Sequence, residues 1–80
     1  MNYTIMYATS TKNPSIIIDL DKNGNMYTVL VWHRGEHMTI RKQDFRQYDS
    51  AKAVFDVWCK EFNMTMVQET EQTWDARDFD

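Results

Sequence analysis

The chain has 80 residues, with nine Lys+Arg against twelve Asp+Glu and a formal charge of −3 at pH 7. Hydrophobic residues make up 42%, too many for a disordered chain, and two glycines with one proline exclude collagen-like and Pro/Gly-rich low-complexity classes. Cys59 is the only cysteine, so an internal disulfide and a thiolate zinc cluster are excluded, and a reducing, cytoplasmic setting is the expected location.

The longest strongly apolar run covers residues 29–32, and the first residues lack a basic region and an apolar core. Neither a membrane span nor a signal peptide is therefore expected, and no membrane partner. A domain this small has a modest core, so packing of aromatic and aliphatic side chains must carry stability, with a partner or a second copy of the chain as the further source open to it.

In chain order, residues 3–8 alternate weakly and are rich in β-formers, which predicts a first strand. A polar loop ends at Pro14. Residues 15–21 form a second strand with Ile16, Ile18 and Leu20 on one face and Ile17, Asp19 and Asp21 on the other. A three-residue loop over 22–24, with Gly24 left-handed, pairs Leu20 with Met26 and Ile16 with Leu30. A two-residue Asn23-Gly24 turn would instead set Asp19 and Asp21 on the face of Leu30, so the longer loop is expected.

The third strand covers residues 26–33 and the fourth residues 37–42, joined by a turn over 34–36 that sets His33 opposite His37. Leu30, Trp32, Met38 and Ile40 then form the core face, with Tyr27, Val29, Val31 and Arg41 on an uncovered face. Residues 43–49 lead into a helix capped by Asp49 or Ser50. Ala51, Val54, Phe55, Trp58 and Phe62 form its apolar stripe, and Lys52, Asp56 and Lys60 its outer face. Asn63 is the expected stop, and residues 64–69 a fifth strand. The predicted fold is α+β, an antiparallel sheet of four to five strands with one amphipathic helix on one face, in β-β-β-β-α-β order. It occupies residues 1–69, followed by an acidic, aromatic segment over 70–80.

Charge is uneven along the chain. Residues 1–60 carry eight Lys+Arg and six Asp+Glu, whereas residues 61–80 carry Arg77 alone against six acids. Glu69, Glu71, Trp74, Asp75, Asp78, Phe79 and Asp80 are the candidate partner-binding residues at this end, suited to a basic protein surface. Tyr27 and Arg41 are candidates on the uncovered sheet face. Arg34, Arg41, Lys42 and Arg46 form a weakly basic edge, the alternative site for nucleic acid.

Turn and packing roles compete with several chemistries in this chain. Asp19, Asp21, Asn23 and Gly24 reproduce the opening of a calcium loop, but Leu30 stands where a bidentate Glu is needed. His33 and His37 lack an evident third metal ligand. Cys59 lies in the C-terminal half of the helix, where the dipole disfavours a thiolate. Nothing singles out an acid/base pair among Asp44, Asp49, Asp56 and Glu61, and no phosphate-loop, dinucleotide or nucleophile-elbow motif occurs. No cofactor, metal or catalytic residue is expected.

Residues 27–62 faintly resemble the WGR domain, which that family links to nucleic-acid-dependent signalling enzymes. The shared features are Trp32-His33-Arg34-Gly35 after a strand, a further strand, and Tyr48, Ser50 and Ala53 opening a helix. His33 stands at that family's central glycine, a departure at its most diagnostic position. The resemblance would imply a structural role for Trp32 and a nucleic-acid-facing one for Arg34. The expected function is a small non-enzymatic protein-binding module, an inhibitor or adaptor of phage or mobile-element type acting on a host protein, such as one in defence or nucleic-acid handling. The alternatives are a nucleic-acid-binding module and a structural homo-oligomer.

Overall fold

The computed structural model describes residues 2–70. Strands β1 (Asn2–Thr9), β2 (Ile16–Asn23), β3 (Met26–His33) and β4 (Met38–Phe45) precede helix α1 (Tyr48–Glu61) and strand β5 (Met66–Glu69). The sheet is antiparallel with order β4-β3-β2-β1-β5. The first four strands thus form a meander, and α1 carries the chain from the β4 edge back to the β1 edge. This is the predicted α+β class with one helix on the sheet.

The helix buries Ala51, Phe55 and Trp58 against Met6, Ala8, Ile18, Leu20, Val29 and Val31. The last five of these sheet residues have no solvent exposure at all. Tyr3, Tyr27, Phe45 and Tyr48 pack around this core, and the rings of Tyr27 and Tyr48 meet edge to face with centroids 5.7 Å apart.

The β2–β3 hairpin differs from expectation. Asn23 pairs with Met26, Leu20 with Val29 and Ile18 with Val31. The loop is therefore Gly24-Asn25, with Gly24 at φ +63° in its first position, the pattern of a II′ hairpin. This register puts Val29 and Val31, rather than Leu30 and Trp32, under the helix. The bulk of Phe55 and Trp58 fills the space above the sheet, so short β-branched residues suffice beneath it. On the far face, the Trp32 indole finds a hydrogen-bond partner in Asp19.

Met38 and Ile40, also assigned to the core above, are exposed on the β4 edge. The β3–β4 turn covers residues 34–37, so His33 pairs with Met38 and His37 closes the turn at φ +52°. The two histidines do not face each other. Strand β4 continues to Phe45, three residues further than its apolar pattern indicates, because it is an edge strand whose ladder needs only β3. The helix begins at Tyr48 with Gln47 as N-cap and no side-chain cap bond, in place of Asp49 or Ser50.

The helix stop is at the expected place. Asn63 adopts φ +56°, its N–H donates to Lys60 O, and Met64 N–H donates to Cys59 O, a Schellman arrangement. From there the chain is tied to β1. Ser10 Oγ donates to Asn63 O, Thr65 N–H to Thr9 O and Thr70 N–H to Ile5 O. Ile5 is also where the β1–β2 register shifts by one residue, a bulge in the central region of the sheet.

Candidate functional site

Alternation along the strands leaves a second face, opposite the helix. Its rows can be read across the sheet. Thr4, Asp21, Thr28 and Asp44 stand side by side on β1 to β4; Tyr7, Asp19, Leu30 and Lys42 form the next row; Ile17, Trp32 and Thr39 a third. Among the described residues no secondary-structure element packs on this face, since α1 meets β2, β3 and β4 from the other side. Ile17 is nevertheless buried, and Tyr7, Leu30 and Trp32 are half-buried.

Two carboxylates sit in the middle of this surface. Asp19 Oδ2 accepts the Trp32 indole N–H at 2.9 Å. Burial pushes the Asp19 carboxyl up to about 6; the Asp21 charge adds to this, and the Trp32 hydrogen bond pulls the other way. Burial raises Asp21 too, opposed by its hydrogen bond with the Thr4 side chain.

Asp21 Oδ1 is buried and has no hydrogen-bond partner. The neighbouring row explains why. Thr28 has one hydroxyl proton, and Thr28 Oγ1 donates it to Asp44 Oδ1 at 2.6 Å, leaving only lone pairs to face Asp21. Asp21 also lines an open recess of about 410 Å³, with Thr4, Lys22, Thr28, Leu30 and Lys42 among the other lining residues.

The sequence-derived site residues fall in different places. Tyr27 and Arg41 lie on the helix side, not on an uncovered face, because the hairpin register is the opposite of the one expected. Arg41 pairs with Glu61 and lies over Trp58 and Phe62, 5.1 and 5.2 Å from their ring centroids. Lys42 points to the open face, so adjacent Arg41 and Lys42 do not share a patch. Arg34 and Arg46 are exposed, in the β3–β4 turn and just after β4.

Glu69 is exposed at the end of β5. Glu71, Trp74, Asp75, Asp78, Phe79 and Asp80 lie outside the described residues. Asp19, Asp21 and Asn23 belong to an extended strand and its end rather than to a loop that wraps an ion. Among the described residues no three His, Cys, Asp or Glu side chains gather as a metal-holding group. His33 Nδ1 instead accepts the Glu36 N–H at 3.2 Å.

Cys59 is half-buried, and desolvation pushes its thiol up to about 11. Among the described residues no helix is long and apolar enough to cross a membrane. Sequence reasoning missed the open-face pair of aspartates as a site. The signal was present as Ile-Asp-Leu-Asp in one strand, but which face those acids share with Leu30 and Trp32 depends on the hairpin register.

No protein-family model, curated protein or solved structure matches the chain. The class is therefore defined by architecture alone: a five-stranded antiparallel sheet covered by a helix on one side and carrying an acidic centre on the other.

Proposed function

We propose that this chain is a non-enzymatic protein-binding module that docks a basic partner on the open face of its sheet. The observation that carries this reading is the pair Asp19 and Asp21. Both are half-buried, both have raised pKa values, and neither has a cationic partner among the described residues. A carboxylate held in this way costs stability at neutral pH, and the described residues offer no compensating ion pair. A cationic segment laid over the face would provide one, with Trp32, Leu30 and Tyr7 supplying apolar contact area.

The acidic residues 71–80 carry charge of the same sign and extend the attraction to a basic surface. An inhibitor or adaptor role follows from binding without turnover. In keeping with this, the thiol of Cys59 stays protonated at neutral pH.

The test compares partner retention by the full chain, by Leu30→Lys, by Val57→Lys on the exposed helix surface, and by a chain ending at Thr70. Correct folding of each is checked by circular dichroism. Retention that is weakened by salt, lost in Leu30→Lys and kept in Val57→Lys supports the reading. Proteins retained equally by Leu30→Lys and the parent chain would sink it. Loss only in the truncated chain would transfer binding to the tail.

A further inference from the structure

The sheet ends at β4 and β5, and these two edges differ. Strand β5 is short, carries Glu69 as its one charge and leads into Glu71, Asp75, Asp78 and Asp80, whose like charge opposes a second copy. Strand β4 is twice as long and contains no proline. Among the described residues only β3 pairs with it, so the backbone N–H and C=O groups of its outer side meet no strand. Such an edge is a template for another strand unless its side chains forbid the pairing.

The side chains of β4 set limits on that pairing. Ile40 is an extra residue, since Val31 pairs with Arg41 and Trp32 with Thr39. This bulge bends the strand, so the regular part of the edge covers residues 41–45. Cations on an edge repel a like strand, and Arg41 and Lys42 both stand here. Arg41 is drawn away by Glu61 and lies over Trp58 and Phe62. Lys42 and Asp44 are exposed, share the open face two positions apart, and have no ion pair among the described residues. Asp44 accepts the Thr28 proton at Oδ1, which leaves Oδ2 for a further donor.

Charge then selects a register. Two copies of one strand pair antiparallel about a two-fold axis, and the axis passes through a residue because opposed side chains must share a face. An axis at Lys42 sets Lys42 against its own copy, and an axis at Asp44 does the same with two carboxylates. Axes at Arg41 or Phe45 draw the pairing onto the bulge or onto residues 46–47, beyond the end of the strand. An axis at Gln43 sets Lys42 opposite the second copy's Asp44, and Asp44 opposite the second copy's Lys42. Such direct cross-strand neighbours have Cβ atoms about 4.5–5.5 Å apart. The neutral Gln43 side chain meets itself. In this register the edge charges attract a second copy of the same strand.

We infer that β4 pairs antiparallel with β4 of a second copy of this chain, about a two-fold axis at Gln43. The axis is perpendicular to the sheet, so the two helices lie on one side and the two open faces form one continuous surface on the other. The pairing stands with or without a basic partner on that surface. Five residues a side make a small contact, so association is expected between about 10 µM and 1 mM.

Sedimentation equilibrium of the full chain over this range at low salt measures it. A monomer–dimer equilibrium is expected, with no growth beyond the dimer because a two-fold contact closes on itself. Lys42→Glu and Asp44→Lys each place like charges across the axis and weaken association by about tenfold or more. Mixing these two variants in equal amounts places opposite charges there again and restores it. In a Cys59→Ala background, Gln43→Cys crosslinks to itself under mild oxidation, because residues that face each other on the axis have Cα atoms about 4.5–5.5 Å apart, within disulfide range. Thr39→Cys and Gln68→Cys, at exposed positions beyond the bulge and on β5, do not. Circular dichroism checks the fold of each variant, and the crosslink decides the matter if a charge variant is unfolded.

A monomer throughout the range would overturn the inference. So would crosslinking at Thr39→Cys or Gln68→Cys in place of Gln43→Cys, or failure of two folded charge variants to recover association on mixing. Assemblies that grow past the dimer would show head-to-tail pairing of β4 with β5 instead.

Discussion

The two faces of the sheet are built from the same strands by opposite rules. On the helix side, Ile18, Leu20, Val29 and Val31 are fully buried and meet Phe55 and Trp58. On the other side, the residues between them include Asp19, Asp21, Thr28, Leu30 and Trp32, half-buried for the most part and held by side-chain hydrogen bonds across strands. One face gains stability from removing apolar area from water. The other retains charges that burial penalises. Stability and surface chemistry are thereby separated by the two-residue period of the strand, and either can change while its neighbour in sequence stays fixed.

The largest expected effect lies on the covered side. Phe55→Ala removes a fully buried ring and should cost about 3–5 kcal/mol, out of a total of about 4–12 kcal/mol for a domain of this length. Leu30→Ala on the open side should cost about 1 kcal/mol or less. Urea unfolding of both variants measures the contrast, and similar losses would mean that the open face is part of the core.

Next comes Trp32→Phe, which removes a hydrogen bond to a carboxylate and should cost about 1–2 kcal/mol at pH 7. It should also raise the Asp19 pKa further, which carboxyl-carbon NMR titration detects.

Asp19→Asn reverses the sign. The folded-state pKa of Asp19 is raised to about 6 from 3.8, so the folded chain binds more protons than the unfolded chain between those values. Stability of the parent chain therefore falls as pH rises from about 4 to about 6, and the penalty is fully present at pH 7. Asn cannot ionise and still accepts the Trp32 N–H. Discounted for partial solvent exposure, the gain should be about 1 kcal/mol at pH 7 and close to nothing at pH 4. Melting temperatures at the two pH values decide it; a variant less stable at pH 7 would show that the charge itself supports the fold.

The smallest effect concerns the helix end. Asn63→Ala should cost about 0.5–1 kcal/mol, and Asn63→Gly should be neutral or slightly stabilising, because the position requires a left-handed backbone. Equal stability of the Ala and Gly variants would argue against the capping role.

Much of the fold was legible in the residues. The Ile16, Ile18, Leu20 alternation, the stripe from Ala51 to Phe62 and the Asn63 stop each rest on local periodicity or a single backbone requirement. The β2–β3 register did not yield to the same reasoning. Asp19 and Asp21 are excluded from the face of Leu30 only if that face is the core; Val29 and Val31 form the core instead, and the acids stand beside Leu30. The misplaced face then carried Tyr27 and Arg41 with it. The row of Thr4, Asp21, Thr28 and Asp44 spans four strands, and no local pattern announces it before the pairing is known.

The tie between β5 and β1 has a consequence for the order in which the chain assembles. Strands β1 to β4 meet through hairpins and short loops, whereas Thr70 reaches Ile5 across a sequence separation of 65. Closing so distant a contact is slow unless the helix has first brought the ends together. The four exposed residues of β5 offer little to hold it there. Zipping of this last strand should therefore finish folding, and peeling of it should begin the reverse process. Native-state amide exchange would register this as faster exchange at Thr70 and β5 than at the β2–β3 ladder.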